Sequence, residues 1–319
     1  MKKKLSQAAF TAMGIAGAAA AICIPIRAIR KQAEKAPRKF GATYMTMNNP
    51  YFEVLDESIR ESVEANGDIL ITRDPAQSQE RQNQQIRDMI DEGVTAIFLN
   101  PVDWKAVSEG LRLCREAGIP VFNVDSNVYD QEYVVSVIQS DNYKAGVQCA
   151  QDMMEKKEEA RILVMTHENI QSTNLRIQGF LDTIEGHPQY QVVGEAKSTS
   201  EFETSMEAMD LILRESLEFD VVIGGNDPTA LGALAALQSS HVEDNILIYG
   251  IDGSPDAKAM IRKGLLEGTS SQLPVEMGKI AVDTAYAHLK GETVKSSILV
   301  DVVMVTEENL DSVGVDGWL

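Results

Sequence analysis

The chain is short of cysteine, of histidine and of basic side chains, and each shortage removes a class of function. Three cysteines in 319 residues, Cys23, Cys114 and Cys149, imply no disulfide framework. Cys114 and Cys149 fall inside helical patterns, where a buried free thiol behaves as a small hydrophobe. The four histidines, His167, His187, His241 and His288, are scattered without metal-ligand spacing. No Ser-His-Asp spacing, phosphate loop, HExxH sequence or dinucleotide fingerprint occurs. The sequence therefore points to no catalytic residues, no metal and no cofactor. Asp125-Ser126-Asn127-Val128-Tyr129-Asp130 begins like a calcium loop, but Tyr129 replaces an oxygen ligand and no glycine follows it, so the stretch reads as a turn. Lys and Arg number 29 against 48 Asp and Glu, and the resulting charge of −19 argues against nucleic acid, whose binding depends on cationic side chains displacing counterions.

What the chain does have begins at its N-terminus. Lys2, Lys3 and Lys4 precede an uncharged run over residues 5–26, after which Arg27, Arg30 and Lys31 follow. Residues 1–31 are expected to be an export signal or a membrane anchor. Ala19 and Ala21 offer a small-residue cleavage site. The run is also about as long as a spanning helix, which needs roughly 20 apolar residues. Acylation at Cys23 is a third fate, though Ile22, Ile24 and Pro25 fit that processing poorly. All three fates place the rest of the chain outside the cytoplasm. Residues 32–39 lack an apolar period and read as a linker.

From Phe40 onward, short β-branched runs alternate with longer amphipathic ones, the pattern of βαβ units and parallel sheets. The first half gives strands at 40–47, 68–73, 96–100, 121–124 and 134–139, with helical patterns at 52–64 and 79–91 among the intervening segments. The second half repeats the scheme, with strands at 161–165, 191–195, 221–224, 246–249 and 268–271. Several runs are apolar on consecutive positions, as expected where helices cover both sheet faces. Length and a hydrophobic content of 44% also favour two domains of roughly 100 to 150 residues. The fold class is α/β, with two doubly wound, Rossmann-like lobes in succession.

Polar side chains recur directly after the apolar runs: Asn48 and Asn49, Asp125, Asn226 and Asp227, Asp252, and Gln272. In doubly wound sheets those loops converge on a ligand crevice. Any one of these residues equally suits a turn or a helix N-cap, but the recurrence in both halves favours a shared polar site. Amides and carboxylates accept and donate in pairs to neighbouring hydroxyls, which suits a polyol. Tyr51 and Phe52 offer flat apolar faces to a sugar ring, or else pack at a helix start.

Residues 45–52 (MTMNNPYF), Ser140-Asp141-Asn142, Arg176 with Gly179-Phe180, residues 225–237 (GNDPTALGALAAL), 250–256 (GIDGSPD) and Gln272-Leu273-Pro274 together resemble the ribose-type periplasmic sugar-binding proteins, in order and spacing across residues 40–301. The resemblance implies two lobes joined by a three-crossing hinge, 40–140 plus 273–301 and 141–272 plus 302–319. It implies Asn49, Tyr51, Phe52, Asp125, Arg176, Asn226, Asp252 and Gln272 as ligand contacts, with Phe202 closing the far face of the sugar. One departure concerns the residue after Asp125, where the family typically has Arg and this chain has Ser126. The loss of a planar five-donor group changes which hydroxyls can be satisfied.

The resemblance also implies a monomeric, non-enzymatic binder on the outer face of the cell membrane or in a periplasm. Its partner is the permease of an ABC-type sugar importer or, alternatively, a membrane histidine kinase that reads the sugar-bound state. The same lobes occur in lac-repressor-like regulators, but those carry a helix-turn-helix where this chain has its apolar segment. An enzyme on this scaffold would betray itself by turning over the bound sugar.

Overall fold

The computed structural model describes residues 36–242 and 245–319; residues 1–35, which hold the expected signal or anchor and Cys23, lie outside it. Its first part runs β1 (Lys39–Thr43), α1 (Pro50–Ala65), β2 (Ile69–Arg73), α2 (Gln79–Asp91), β3 (Ala96–Leu99), α3 (Ser108–Ala117), β4 (Val121–Val124) and β5 (Ser136–Ser140). It continues α4 (Asn142–Lys156), β6 (Ala160–Thr166), α5 (Gln171–Ile184), β7 (Tyr190–Lys197), α6 (Phe202–Arg214), β8 (Val221–Gly224), α7 (Asp227–Ser239), β9 (Leu247–Asp252), α8 (Pro255–Arg262) and β10 (Gly268–Ser271). It closes with α9 (Pro274–Leu289), β11 (Ser297–Val300), β12 (Val303–Thr306) and α10 (Leu310–Val313).

Two six-stranded sheets result, ordered β11-β5-β4-β3-β1-β2 and β12-β10-β9-β8-β6-β7. The central strands β3, β4, β8 and β10 are buried along their whole length, as expected where helices flank both faces; their side chains are apolar or small except Asn123, whose amide donates to Leu99 O and Ser126 O. The edge strand β7 is instead buried only at Tyr190 and Ala196. Helix starts follow from local chemistry. Asn49, Ser78, Asp141, Asn226 and Ser254 each accept a backbone N–H in the first turn of the helix they precede, and Pro50 and Pro255 sit where a missing N–H costs nothing. Residues Pro37–Leu319 pack as one unit.

The doubly wound α/β expectation is met in both sheets, with three differences. Each sheet gains an edge strand, β11 or β12, that the run SSILVDVVMV hides, because only Asp301 interrupts it. The second sheet is not wholly parallel, since β12 pairs antiparallel with β10. Direction explains this: β11 leaves the first sheet at its carboxyl edge, and a link of Asp301 and Val302 carries the chain straight into the facing carboxyl edge of the second, so it must run backwards. Finally, the folded part starts before Phe40. The Arg38 guanidinium binds Asp68 at 2.8 and 3.0 Å and lies over the Tyr286 ring, which fixes the end of the expected linker.

Among the described residues the chain passes between the sheets three times, at 140–142, 271–274 and 300–303. Helices cover both faces of each sheet, giving the first two apolar cores, around Phe40, Phe98 and Phe122 and around Ile86, Leu99 and Leu111, and the second two, around Leu163, Val222 and Leu237 and around Ile162, Phe180 and Ile223.

Candidate functional site

The carboxyl ends of both sheets border one small polar cavity. Asn49, Tyr51, Phe52, Asp125, Arg176, Asn226, Asp252 and Gln272 all line it. The lobes touch around it. Ser172 N donates to Ser126 Oγ at 3.1 Å, Trp104 N to Asn169 O at 3.2 Å, and Thr46 Oγ1 to Glu201 at 3.4 Å.

Asp252 is the last residue of β9 and is 2% exposed. Its Oδ1 accepts from Gln272 Nε2 at 2.7 Å and lies 3.6 Å from Arg176 Nη1. Its Oδ2 is buried and has no partner. An unpaired buried carboxylate oxygen is costly, so this atom marks a place for a ligand donor. The backbone agrees: φ of 151° is rare outside glycine, and such residues cost on the order of 1–3 kcal/mol and gather at functional sites. Helix capping does not explain the carboxylate, because Ser254 Oγ takes the Ala257 N–H at 3.2 Å.

The other polar residues combine cap and wall. Asn49 Oδ1 accepts from Tyr51 N at 3.0 Å, a role that does not use its amide hydrogens. Asn226 Oδ1 accepts from Thr229 N at 3.0 Å while Nδ2 donates to Ser200 O at 3.0 Å. Asp125, with a left-handed φ of 65°, takes a hydrogen bond from Asn100 Nδ2 at 2.9 Å. Arg176 is anchored through Nε to Asn142 at 2.8 Å and through Nη1 to Gly225 O at 2.9 Å. Its helix lies close against α4, where a Cβ on Gly146 would come within 1.8 Å of the Arg176 carbonyl oxygen.

Asp125 and Asp252 against Arg176 leave the wall one negative charge in excess when all are ionised. Burial pushes the Asp125 carboxyl up to about 6, against the pull of Arg176. Burial pushes Asp252 up to about 8; Arg176 opposes this, and the neighbouring Asp227 charge adds to it. Asp227 is itself pushed up by burial and is fully engaged, by Thr269 Oγ1 at 2.7 Å and Ser254 N at 2.7 Å, so it backs the site rather than facing ligand.

Phe202 departs from expectation. It opens α6, is 40% exposed and does not line the cavity. Its carbonyl packs so tightly on Gly232 that a Cβ there would lie 2.4 Å away, which fixes the first turn of α6 outside the wall; Ser200, two residues earlier, lines it instead. Thr46, Gln77, Ile170, Ser172 and Thr173 also line the cavity. Asn100 behind Asp125 obeys the strand-end rule, since β3 stops at Leu99 and not at Asn100 as its apolar run suggests. Ser126 has a positive role. Helix α5, which carries Arg176, has no side-chain cap of its own, and Ser126 from the other lobe supplies the acceptor.

The family profile of the periplasmic binding protein domain matches residues 40–293. The ribose import binding protein of Escherichia coli is 30% identical over 266 residues, covering 82% of this chain and 88% of the relative. A solute-binding protein of an ABC transporter from Agrobacterium vitis, solved with bound D-fucose, is 27% identical with a TM-score of 0.80, covering 86% of this chain and 97% of its own. A Bacillus halodurans solute-binding protein with bound myo-inositol shares the fold at 23% identity and a TM-score of 0.80, over 88% and 98% of the two chains.

Proposed function

As a member of the periplasmic binding protein family, the chain has a binding role and no chemistry of its own, and we propose that it captures a small sugar or polyol between its lobes and delivers it to the permease of an ABC-type importer. The observation that carries this reading is the unpartnered Asp252 Oδ2 in a polar cavity bordered by both sheets. Hydroxyls are the neutral donors that match it, and a ligand gripped from both lobes favours the closed arrangement over an open one. Presentation to a sensor kinase is the weaker reading, because the relatives are named for import.

The direct ligand contacts are Asn49, Tyr51, Phe52, Asp125, Arg176, Asn226, Asp252 and Gln272. The lobes divide as 40–140 plus 273–301 and 141–272 plus 302–319, and the folded part acts as a monomer. The family places it outside the cytoplasm. Attachment to the membrane through residues 1–31, whether as anchor or by acylation at Cys23, rests on the three lysines and the uncharged run that follows them. A thermal-shift screen of pentoses, hexoses and polyols tests the ligand class, and small-angle scattering with the best hit should show a smaller radius of gyration. No stabilisation by any sugar or polyol would end the reading. Recovery of the intact protein from cytoplasm rather than membrane would end the attachment.

A further inference from the structure

The end of the chain does more than finish the second lobe. Helix α10 belongs to that lobe, since Leu310, Val313 and Val315 pack into its core and Asp311 pairs with Arg262 of α8 at 2.9 Å. Three residues past Val315, Trp318, half-buried, packs instead against the core of the first lobe, with its ring 5.8 Å from the Tyr51 ring at an angle of 66°. Between these points the Gly317 carbonyl accepts from the ammonium of Lys258, a lysine 1% exposed on α8. A buried ammonium holds its acceptor strongly, so the tail is fastened to one lobe immediately before it enters the other.

Tyr51 is therefore held on several sides. Trp318 packs one edge, Phe52 stands at 5.3 Å and 81°, and the hydroxyl reaches Gln272 Oε1 at 3.4 Å. Gln272 in turn donates to Asp252.

We propose that residues 314–319 form a strap beside the hinge, and that Trp318 is a positioning residue which holds Tyr51 in the ligand wall and the lobes together. This rests on the sugar-binding reading for its ligand, but the strap also acts without ligand. It links the lobes beside the three covalent crossings, and unlike them it can be released.

The test uses the full chain with W318A and W318F. The only other tryptophan is Trp104, so a W104F background makes Trp318 a lone fluorescent reporter. Without ligand, W318A should scatter with a larger radius of gyration than the parent, and W318F should match the parent. With the sugar found by the thermal-shift screen, W318A should lose about three- to tenfold in affinity, the range for one aromatic pair, W318F should recover most of it, and Trp318 emission in W104F should shift on binding. If W318A does not fold, W318L carries the same comparison, keeping apolar bulk without the ring. A lowered melting temperature with unchanged radius and affinity would make Trp318 core filling only and overturn the proposal. If no sugar binds the parent, the sugar reading falls while the ligand-free scattering still decides the strap.

Discussion

Replacing Asp252 by Asn separates binding from structure. The amide keeps an oxygen to accept from Gln272 Nε2 and puts an NH₂ where the unpartnered Oδ2 now sits. A ligand hydroxyl that donated to the carboxylate meets a donor instead. Losing a hydrogen bond to a charged group costs about 1.5–3 kcal/mol, so affinity should fall roughly ten- to a hundredfold. Stability without ligand should move the other way. The folded carboxyl is raised from 3.8 to about 8, so between those values the native state holds a proton that the unfolded chain has released. Ionisation therefore removes stability as pH rises through that window and leaves it intact below about pH 4. At pH 7 this amounts to at most on the order of 4 kcal/mol, at about 1.4 kcal/mol per pH unit. Asn abolishes it, so the ligand-free D252N protein should gain on the parent steadily from pH 5 to 8. Asp252→Ala is the poorer variant, because it leaves Gln272 Nε2 without its acceptor and should cost about 1–3 kcal/mol of folding stability by itself. Calorimetric titration beside melting curves at several pH values reads both effects. Wild-type affinity in D252N, or melting curves that keep a constant offset from pH 5 to 8, would refute the reasoning.

Ligand hydroxyls that donate to Asp252 favour its ionised form, so binding near pH 7 should release a proton, seen as a heat that changes with the buffer's ionisation enthalpy; equal heats in phosphate and Tris would count against it. Ser126→Ala leaves the buried Ser172 N–H unpaired when the lobes meet, which should weaken binding by about 1–3 kcal/mol in the same titration; an unchanged affinity would mean the lobes do not meet there in the complex. Gly146→Ala must push α5 off α4, and overpacking of this kind costs about 1–3 kcal/mol. Both melting temperature and affinity should drop, and a drop in melting alone would show that Arg176 keeps its place despite the shift.

The sheets were legible where the chain is most constrained. Strands at 121–124, 221–224 and 268–271 appear with the expected bounds because they are mostly apolar or small and a polar residue or a glycine stands at or just after their ends. The first strand stops at Thr43 rather than 47 because Asn100 Oδ1 takes the Met45 N–H at 3.0 Å, a tertiary contact that no local pattern announces. β9 runs on to Asp252 because that residue pairs with Ser271. In the cavity, residues at strand ends could be read from position alone, whereas Ser172, Thr173 and Ser200 are ordinary polar residues whose only distinction is the lobe they face. Ser126 looked like a missing arginine; that it serves a helix in the other lobe depends on how the lobes meet.

The order in which the sheets are completed carries a cost before the protein is ever folded. β11, the outer strand of the first sheet, is residues 297–300, and α9, which packs on α1, is residues 274–289, so both are made after residues 141–272 of the second lobe. Until then β5 is an open edge with unsatisfied backbone groups, a template for pairing with another chain. Closing that edge joins residues more than 150 positions apart, since Val300 pairs with Ser140, and such long-range pairing is slow. A chain cut short, or stalled during export, before residue 297 would present that edge to its neighbours. Exposure of the β5 edge to neighbouring chains is thus confined to the interval between the synthesis of β5 and the arrival of β11.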